Sequence, residues 1–332
     1  MSAPTWEVRH GDCVDVLRPM PDNSVDLILT DPPYFRVKNE PWDRQWDSAA
    51  GFIRWLDTVA EQWARVLKPN GSLYCFASPK MAARVEVMLA DRFAVLNHIA
   101  WSKPPYSTKA EMFDKTTMRG FFPSSERIIF AEHYGADNIA KGEAGYAAKC
   151  DELRGFVFEP LRAYLDGERE RAGFSRKDCD RVCGNQMAGH YFSQVQWALP
   201  TRANYEKLRA AFNATGGDYL RREYDDLRRP FTVTADVPYT DVWTFPTVQA
   251  YKGKHPCEKP QALLRHIIAA SSRAGGVVLD TFAGSGSTGE AALALGRSFV
   301  GVEMSDHWVR EARRRLAGVA DPVQRDLLTE AA

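Results

Sequence analysis

The chain has 332 residues, of which 45% are hydrophobic and 26% are charged. It is long enough for a buried α/β core with an added lobe, and its composition excludes a disordered or fibrous protein. Lysine and arginine together number 43, as do aspartate and glutamate. No global field therefore draws the protein onto nucleic acid or an anionic membrane, and any such binding needs a local basic face.

The sequence lacks the segments that direct a protein to a membrane and the clusters that bind a metal. Residues Met1 to Cys13 contain no apolar signal stretch, and nowhere do about 18 apolar residues run together. Of the six cysteines only Cys179 and Cys183 lie close together, without the second pair or the histidine pair of a zinc site. We therefore expect a cytoplasmic protein with reduced, structural cysteines, no membrane partner and no metal.

Residues 1–136 alternate short β-rich runs with helical ones, which is typical of a doubly wound α/β sheet. The run VDLILT at 25–30 predicts a buried strand that ends at the prolines of DPPY. Apolar spacing at 52–67 predicts a helix, which the segment KPNG ends. Further strands are predicted at 72–76, 94–101 and 127–131.

Residues 137–237 break this alternation and predict an inserted, mainly helical lobe. Helical spacing there covers 161–172, 175–183 and 202–212. The β-α alternation returns in residues 238–319, with helices predicted at 260–272, 287–295 and 308–316 and strands at 276–280 and 298–302. Residues 320–332 are predicted to form a loosely held tail.

A glycine-rich turn follows the predicted strand that ends at Asp280. Residues 284–289 read GSGSTG, a match to G-x-G-x-x-G, and Glu303 ends the next strand, where a ribose-binding acid belongs. The loop indicates a nucleotide-like cofactor without settling which one. An NAD site places pyrophosphate on the helix N-terminus, whereas S-adenosylmethionine has no phosphate and carries an ammonium group that Asp280 would suit.

A second motif, DPPY at 31–34, stands at the end of an apolar strand and resembles the D-P-P-Y motif of the amino-group DNA methyltransferases. The glycine loop resembles the S-adenosylmethionine motif of that family. The segment HGDCVDVL at 10–17 resembles its G-D-x-x-x-x-L, and HPCEKP at 255–260 resembles its H-P-x-x-K-P. In this chain the catalytic motif comes first, the lobe follows, and the cofactor motifs come last, which is the family's permuted β-type order.

The resemblance implies a Rossmann-like methyltransferase that transfers a methyl group from S-adenosylmethionine to the N6 amine of a flipped adenine in double-stranded DNA. Residues 1–136 would be the catalytic half, residues 238–319 the cofactor-binding half, and the lobe a target-recognition domain. The implied catalytic residues are Asp31, Pro32, Pro33 and Tyr34. The implied cofactor-binding residues are Asp12, Lys259, Asp280, Phe282, Gly284, Ser285, Gly286, Ser287, Thr288 and Glu303. Lys259 would face the cofactor carboxylate or cap the turn before its helix.

The implied chemistry agrees with the residue types of DPPY. An exocyclic amine is a poor nucleophile because its lone pair is delocalised into the base. Acceptors that hold its N–H groups, here the Asp31 carboxylate and the carbonyl after Pro32, turn the lone pair toward the methyl group. Tyr34 offers an aromatic face for an extruded base. The nearby Trp42-Asp43 and Trp46-Asp47 are expected to be a lid or a packed loop.

The lobe carries the local basic face that the neutral total conceals. Residues 169–209 contain eight basic and four acidic residues. Ser175 with Asp178 predicts a capped helix start, and helix, glycine turn and helix together resemble a helix-turn-helix reader. The candidate DNA contacts are Arg176, Lys177, Arg181 and Arg202, with plain scaffolding as the alternative. The aromatic residues expected in the core of the lobe are Tyr191, Phe192, Trp197 and Tyr205.

Three other functions remain as alternatives. Cytosine N4 methylation uses the same geometry, but in the family an aspartate at the first motif position leans toward adenine and a serine toward cytosine. A nicotinamide-dependent oxidoreductase would explain the glycine loop but leave DPPY and the lobe unused. A non-catalytic DNA-binding regulator would leave the cofactor loop unused. The recognition sequence, a homodimer and a partner restriction enzyme stay open.

Overall fold

The computed structural model describes residues 3–104, 116–121, 123–134, 158–193, 197–233 and 239–320. Its centre is an eight-stranded sheet in the order β1-β8-β7-β2-β3-β5-β4-β6. The strands are β1 (Trp6–His10), β2 (Val25–Thr30), β3 (Leu67–Ala77), β4 (Ala94–Ser102), β5 (Ser125–Glu132), β6 (Val242–Thr244), β7 (Val277–Asp280) and β8 (Ser298–Glu303). All pairings are parallel except those of β5 with β3 and β4.

Helices cover both faces of this sheet, so the predicted doubly wound α/β fold is confirmed. One face is covered by α1 (Cys13–Leu17), α2 (Ala49–Val66) and α3 (Ala82–Ala90), and the other by α8 (Gln261–Ser271), α9 (Ser287–Ala294) and α10 (Asp306–Ala320). Strand β2 lies between these layers, which explains its nearly continuous apolar sequence. Pro32 and Pro33 then end its ladder because proline has no N–H to donate.

The described part of the lobe is helical, as predicted, and has its own apolar core. Its helices are α4 (Glu159–Arg171), α5 (Arg176–Cys183), α6 (Arg202–Asn213) and α7 (Tyr224–Leu227). The predicted core aromatics are all buried. Ser175 and Asp178 form the predicted capping box at the start of α5, and Thr201 caps α6. Cys179 and Cys183 are buried free thiols in this core, in line with a structural role.

The lobe is anchored at the edge of the sheet where the parallel strands begin. The Asn70 side chain, near the start of β3, donates to the carbonyl oxygens of Asp226 at 3.0 Å and Arg228 at 3.3 Å. Arg229 forms a fully buried ion pair with Glu132 at 2.5 Å, and Glu132 lies opposite Ser72 in the β3–β5 register. These contacts lie on the side of the sheet away from the carboxyl ends of β2 and β3.

Five of the described elements are not predicted by the sequence pattern, namely β1, α1, α3, α7 and β6. Strand β1 is an edge strand with one face in water, so its residues WEVRH mix polar and apolar types. Strand β6 has three residues, too few for a detectable alternation. Strand β3 also begins at Leu67, earlier than predicted, because the segment KPNG continues in the sheet. Most of the predicted tail, from residue 321 on, lies outside the described residues.

Two absences concern the described residues only. None of the helices in the described ranges is long and apolar enough to cross a membrane. Within the same part of the chain, no three histidine, cysteine, aspartate or glutamate side chains form a cluster suited to a metal ion.

Candidate active site

A cavity of about 720 Å³ opens at the carboxyl ends of the parallel strands. Asp12, Asp31, Asp280 and Glu303 stand at the ends of β1, β2, β7 and β8 or just after them, and all four line the cavity. Open α/β sheets bind their ligands in such a crevice. Every predicted catalytic and cofactor-binding residue except Gly286 lines it.

The carboxylate of Asp31 has one occupied and one unoccupied oxygen. Oδ2 forms an ion pair with the Lys259 ammonium group, which is itself buried. Oδ1 is buried and has no hydrogen-bond partner among the residues that the structure describes. A buried acceptor without a partner costs free energy, so this atom is a strong candidate for a ligand contact.

Of the two roles predicted for Lys259, its contacts fit the cap of the turn before its helix, since Nζ donates to the carbonyl of Cys257 at 3.3 Å. Its Nζ also forms an ion pair with Asp31 and lies 3.6 Å from Oε2 of Glu126, while the residue lines the cavity. The same Glu126 oxygen accepts a hydrogen bond of 2.8 Å from the Tyr34 hydroxyl. Oε1 of Glu126 accepts from Lys103.

Burial and charge act in opposite directions in this group. Burial raises the pKa of Asp31, while the neighbouring Lys259 opposes that rise. Burial alone would lower the pKa of Lys259, but Asp31 and Glu126 raise it above its usual value. The pKa of Glu126 is lowered despite burial because Lys259 and Lys103 face it. Burial and the two carboxylates raise the pKa of Tyr34, which keeps the phenol neutral.

Asp280 fixes the start of the glycine loop. It accepts hydrogen bonds from the hydroxyls of Thr288 at 2.7 Å and Thr30 at 3.0 Å and from the amide of Phe282 at 3.1 Å. Burial raises its pKa to about 6, although these hydrogen bonds oppose the shift. A cationic group in the cavity would therefore stabilise the ionised form.

Two further acids shape the same part of the cavity. Glu303 accepts from the amide of Gly284 at 2.9 Å and from that of Ser305 at 2.8 Å, and burial raises its pKa. Asp12 caps α1 by accepting from the amide of Val14 at 2.9 Å through Oδ1. Both carboxylates are thus held by backbone groups while they line the cavity.

Gly284 and Gly286 have different surroundings, and Gly286 does not line the cavity although it is a predicted cofactor-binding residue. Both have positive φ, 50° and 78°. A Cβ on Gly284 would lie 3.1 Å from the ring of His255, which lines the cavity. A Cβ on Gly286 would lie 3.0 Å from Cβ of Ala312 in α10. Gly286 therefore allows α9 and α10 to pack closely, and its amide donates to Ala283.

Comparison with known proteins agrees with this geometry. A family model described as DNA methylase, N6_N4_Mtase, matches residues 25–314. The chain belongs to this family. It is accordingly a DNA amino-methyltransferase, an enzyme whose methyl donor is S-adenosylmethionine.

Two curated relatives match nearly the whole chain. The DNA adenine methyltransferase YhdJ of Escherichia coli (strain K12) is 28% identical over an alignment of 318 residues, and the match covers 92% of this chain and 81% of YhdJ. The Type II methyltransferase M2.MboI of Moraxella bovis is 23% identical over 328 residues, 93% of this chain and 87% of that protein.

Solved structures support the fold. The cytosine-N4-specific PvuII DNA methyltransferase has a TM-score of 0.56 at 14% identity, covering 99% of this chain and 93% of its own. The complex of M1.HpyAVI with S-adenosylmethionine has a TM-score of 0.53 at 18% identity, covering 94% of this chain and 99% of its own.

In this methyltransferase the segment after DPPY packs as a loop beside the cavity. Phe35 and Arg36 have positive φ, and the buried Asp43 accepts from the amides of Val37 at 2.6 Å and Lys38 at 2.5 Å. Trp46 packs on Phe52 and Trp55, whereas Trp42 lines the cavity. The segment is thus a packed loop at Trp46, and its Trp42 side faces the cavity, whereas the lid stays a prediction.

The four predicted DNA contacts lie away from the cavity lining. Lys177 is exposed, and Arg176 donates to the carbonyl of Phe192 at 3.2 Å. Arg181 and Arg202 are paired with Asp178 and Asp225. The structure therefore does not bring these residues to the DPPY turn at residues 31–34.

Sequence reasoning missed Glu126, Lys103 and His255 as parts of the site. Glu126 and Lys103 come from β5 and the end of β4, which the chain order separates from DPPY by some 70 residues or more. His255 stands in the segment HPCEKP, but nothing in that motif says that its ring faces Gly284. The one usable signal for Glu126 is an acid near the start of a strand whose central residues, IIFA at 128–131, are apolar.

Proposed function

We propose that this methyltransferase acts on the N6 amine of an adenine extruded from duplex DNA. The observation that carries the proposal is the buried, unpartnered Oδ1 of Asp31 in the cavity wall. An amine N–H is the donor that such an atom lacks. Holding the amine there turns its lone pair away from Asp31 and makes the nitrogen a better nucleophile.

The turn around Asp31 is suited to receive a base. Pro33 and Tyr34 line the cavity next to it. The Tyr34 hydroxyl is held by Glu126, so the ring has a fixed orientation against which an extruded base can stack. The prolines keep the turn rigid because their φ angles are fixed.

The acids at the other strand ends fit S-adenosylmethionine. When bound, this cofactor supplies a methyl group activated by a sulfonium. Asp280, with its raised pKa, would face the ammonium group, Glu303 the ribose hydroxyls and Asp12 the adenine amine. The hydroxyls of Ser285, Ser287 and Thr288 complete that wall.

The backbone of the glycine loop argues against a dinucleotide. The amides of Phe282, Ala283, Gly284 and Gly286 all donate within the protein, to Asp280, Val302, Glu303 and Ala283. These four amides are therefore not available to a pyrophosphate. The nicotinamide-dependent alternative is disfavoured chiefly by the family and because it would leave DPPY unused.

Adenine is preferred to cytosine on two grounds. In the family, aspartate at the first position of the D-P-P-Y motif leans toward adenine, and Asp31 occupies that position. YhdJ, which matches most of this chain, is named a DNA adenine methyltransferase. We propose further that the lobe contacts the DNA backbone through Arg176, Lys177, Arg181 and Arg202, which supports affinity more than base choice.

Mass spectrometry of nucleosides tests the proposal. Unmethylated duplex DNA is incubated with S-adenosylmethionine and the enzyme, digested and analysed. We expect N6-methyladenine at a short defined sequence and none with Asp31→Ala. N4-methylcytosine as the sole product would overturn the adenine assignment, and no methylated base on any duplex would overturn the substrate class.

A further inference from the structure

Four charged side chains and one phenol lie together at the DPPY turn, residues 31–34. Lys259 is paired with Asp31, Lys103 is paired with Glu126, and Glu126 lies 3.6 Å from Lys259 and 2.8 Å from the Tyr34 hydroxyl. The side chains of these four charged residues are at most 24% exposed. Buried ion pairs rarely add net stability, so such a group calls for another reason.

The geometry gives that reason at Asp31. Without a counter-charge a buried carboxylate takes up a proton, and a protonated acid no longer offers two acceptor oxygens. Lys259 supplies the positive charge and contacts Oδ2 only, which leaves Oδ1 for the substrate. Glu126 in turn balances Lys259 and accepts the hydrogen bond of the Tyr34 hydroxyl.

We infer that Lys259 and Glu126 are positioning residues for methyl transfer. Lys259 keeps Asp31 ionised with Oδ1 turned into the cavity, and Glu126 fixes the Tyr34 ring and the Lys259 ammonium group. This role requires neither residue to contact the base or the cofactor. This inference rests on the proposed function only in so far as Asp31 accepts from a substrate amine, whichever base carries it.

Apart from Lys259 and Glu126, the groups near Asp31 have weaker effects on its pKa. The neutral Tyr34 hydroxyl lowers that pKa by hydrogen bonding, Asp280 is a like charge, and the thiols of Cys75 and Cys257 are neutral because burial raises the pKa of both. Lys259 is thus the main group that lowers the pKa of Asp31, and Glu126 the main charge that raises it. Removing the two residues should therefore shift the activity profile in opposite directions.

The test is the pH profile of single-turnover methyl transfer at saturating S-adenosylmethionine, with labelled methyl groups counted in total DNA. In Lys259→Met we expect at least a tenfold lower rate at neutral pH, and an acid limb moved up by about 1–3 pH units, because an opposite charge has been removed. In Glu126→Gln we expect the acid limb to move down, because a like charge has been removed. The matched controls are Lys254→Met, whose ammonium group donates to the Val248 carbonyl in the same segment, and Glu86→Gln, whose carboxylate pairs with His98.

A second measurement tests the contact between Glu126 and Tyr34. The double variant Tyr34→Phe with Glu126→Gln is compared with the two single variants. If Glu126 acts through the Tyr34 hydroxyl, the fold-loss of rate in the double variant should be smaller than the product of the two single fold-losses. A full product would remove this part of the inference.

Three results would overturn the inference. The first is that the acid limb of the pH profile stays in place in both variants, and the second is that it moves in the same direction in both. The third is a Lys259→Met enzyme that binds S-adenosylmethionine more than tenfold more weakly but reacts at the normal rate when saturated. The last would make Lys259 a cofactor ligand. If Lys259→Met does not fold, the direction of the shift in Glu126→Gln decides alone. Because the assay counts label in any base, a cytosine product would refute the adenine proposal without touching this one.

Discussion

Replacing Gly286 by alanine should destabilise the protein without weakening the binding of S-adenosylmethionine. The φ of Gly286 is 78°, where an L-residue costs about 1 kcal/mol relative to glycine. The added Cβ would lie 3.0 Å from Cβ and 3.1 Å from Cα of Ala312, so α10 has to shift, which costs about 1–3 kcal/mol. We expect the free energy of unfolding to fall by about 2–4 kcal/mol.

Gly284→Ala is the matched variant, two residues away and also at positive φ. Its Cβ would meet the His255 ring, at 3.1 Å from Cε1, and this ring lines the cavity. The ring has to move by a few tenths of an ångström, so part of the cost appears in binding. A loss of about 1 kcal/mol of binding free energy raises the dissociation constant of S-adenosylmethionine about fivefold.

Denaturant unfolding and calorimetry with S-adenosylmethionine separate the two effects. Gly286→Ala should shift the unfolding midpoint more than Gly284→Ala does, and Gly284→Ala should change the dissociation constant more. If Gly286→Ala weakens the cofactor tenfold and leaves stability unchanged, the placement of this glycine against α10 is refuted.

Three further predictions concern charge. Arg229→Met should lower the free energy of unfolding by about 3–5 kcal/mol in denaturant melts, because Glu132 would be left as a buried charge without its main partner; a loss below about 1 kcal/mol would contradict the anchoring of the lobe by this pair. S-adenosylmethionine affinity should rise between about pH 5 and about pH 7, because burial raises the pKa of Asp280 to about 6 and a bound ammonium group favours its ionised form. Calorimetry should show that this rise is lost in Asp280→Asn. An equal rise in both proteins would place the ammonium group elsewhere. Arg176→Glu with Lys177→Glu should weaken DNA binding and reduce the slope of log affinity against log salt by about 2, with cofactor affinity unchanged; an unaltered slope in titrations would leave the lobe as scaffolding.

The sequence predicts those parts of the site that lie within single motifs. DPPY and the glycine loop each combine a strand end with residues of fixed backbone preference, so the sequence alone predicts that Asp31, Asp280 and Glu303 belong to the site. Two prolines after VDLILT leave little choice about where β2 ends.

What could not be predicted depends on contacts between distant segments. Lys259 lies 228 residues from Asp31, and the H-P-x-x-K-P motif does not say which anion its lysine meets. Glu126 reaches Tyr34 because β5 runs antiparallel beside β3, a pairing that periodicity does not reveal. The direction of a Cβ at Gly286 is set by the packing of α10, which no local pattern encodes.

The role of Asp31 is the central claim, and single-turnover methyl transfer by Asp31→Ala tests it most directly. The rate should fall at least about 100-fold, because a positioned acceptor in a desolvated site contributes about 2.7 kcal/mol or more to the transition state. Calorimetry should show nearly unchanged S-adenosylmethionine affinity, since Asp31 is not expected to touch the cofactor. A folded variant that keeps more than about a tenth of the wild-type rate would contradict the account.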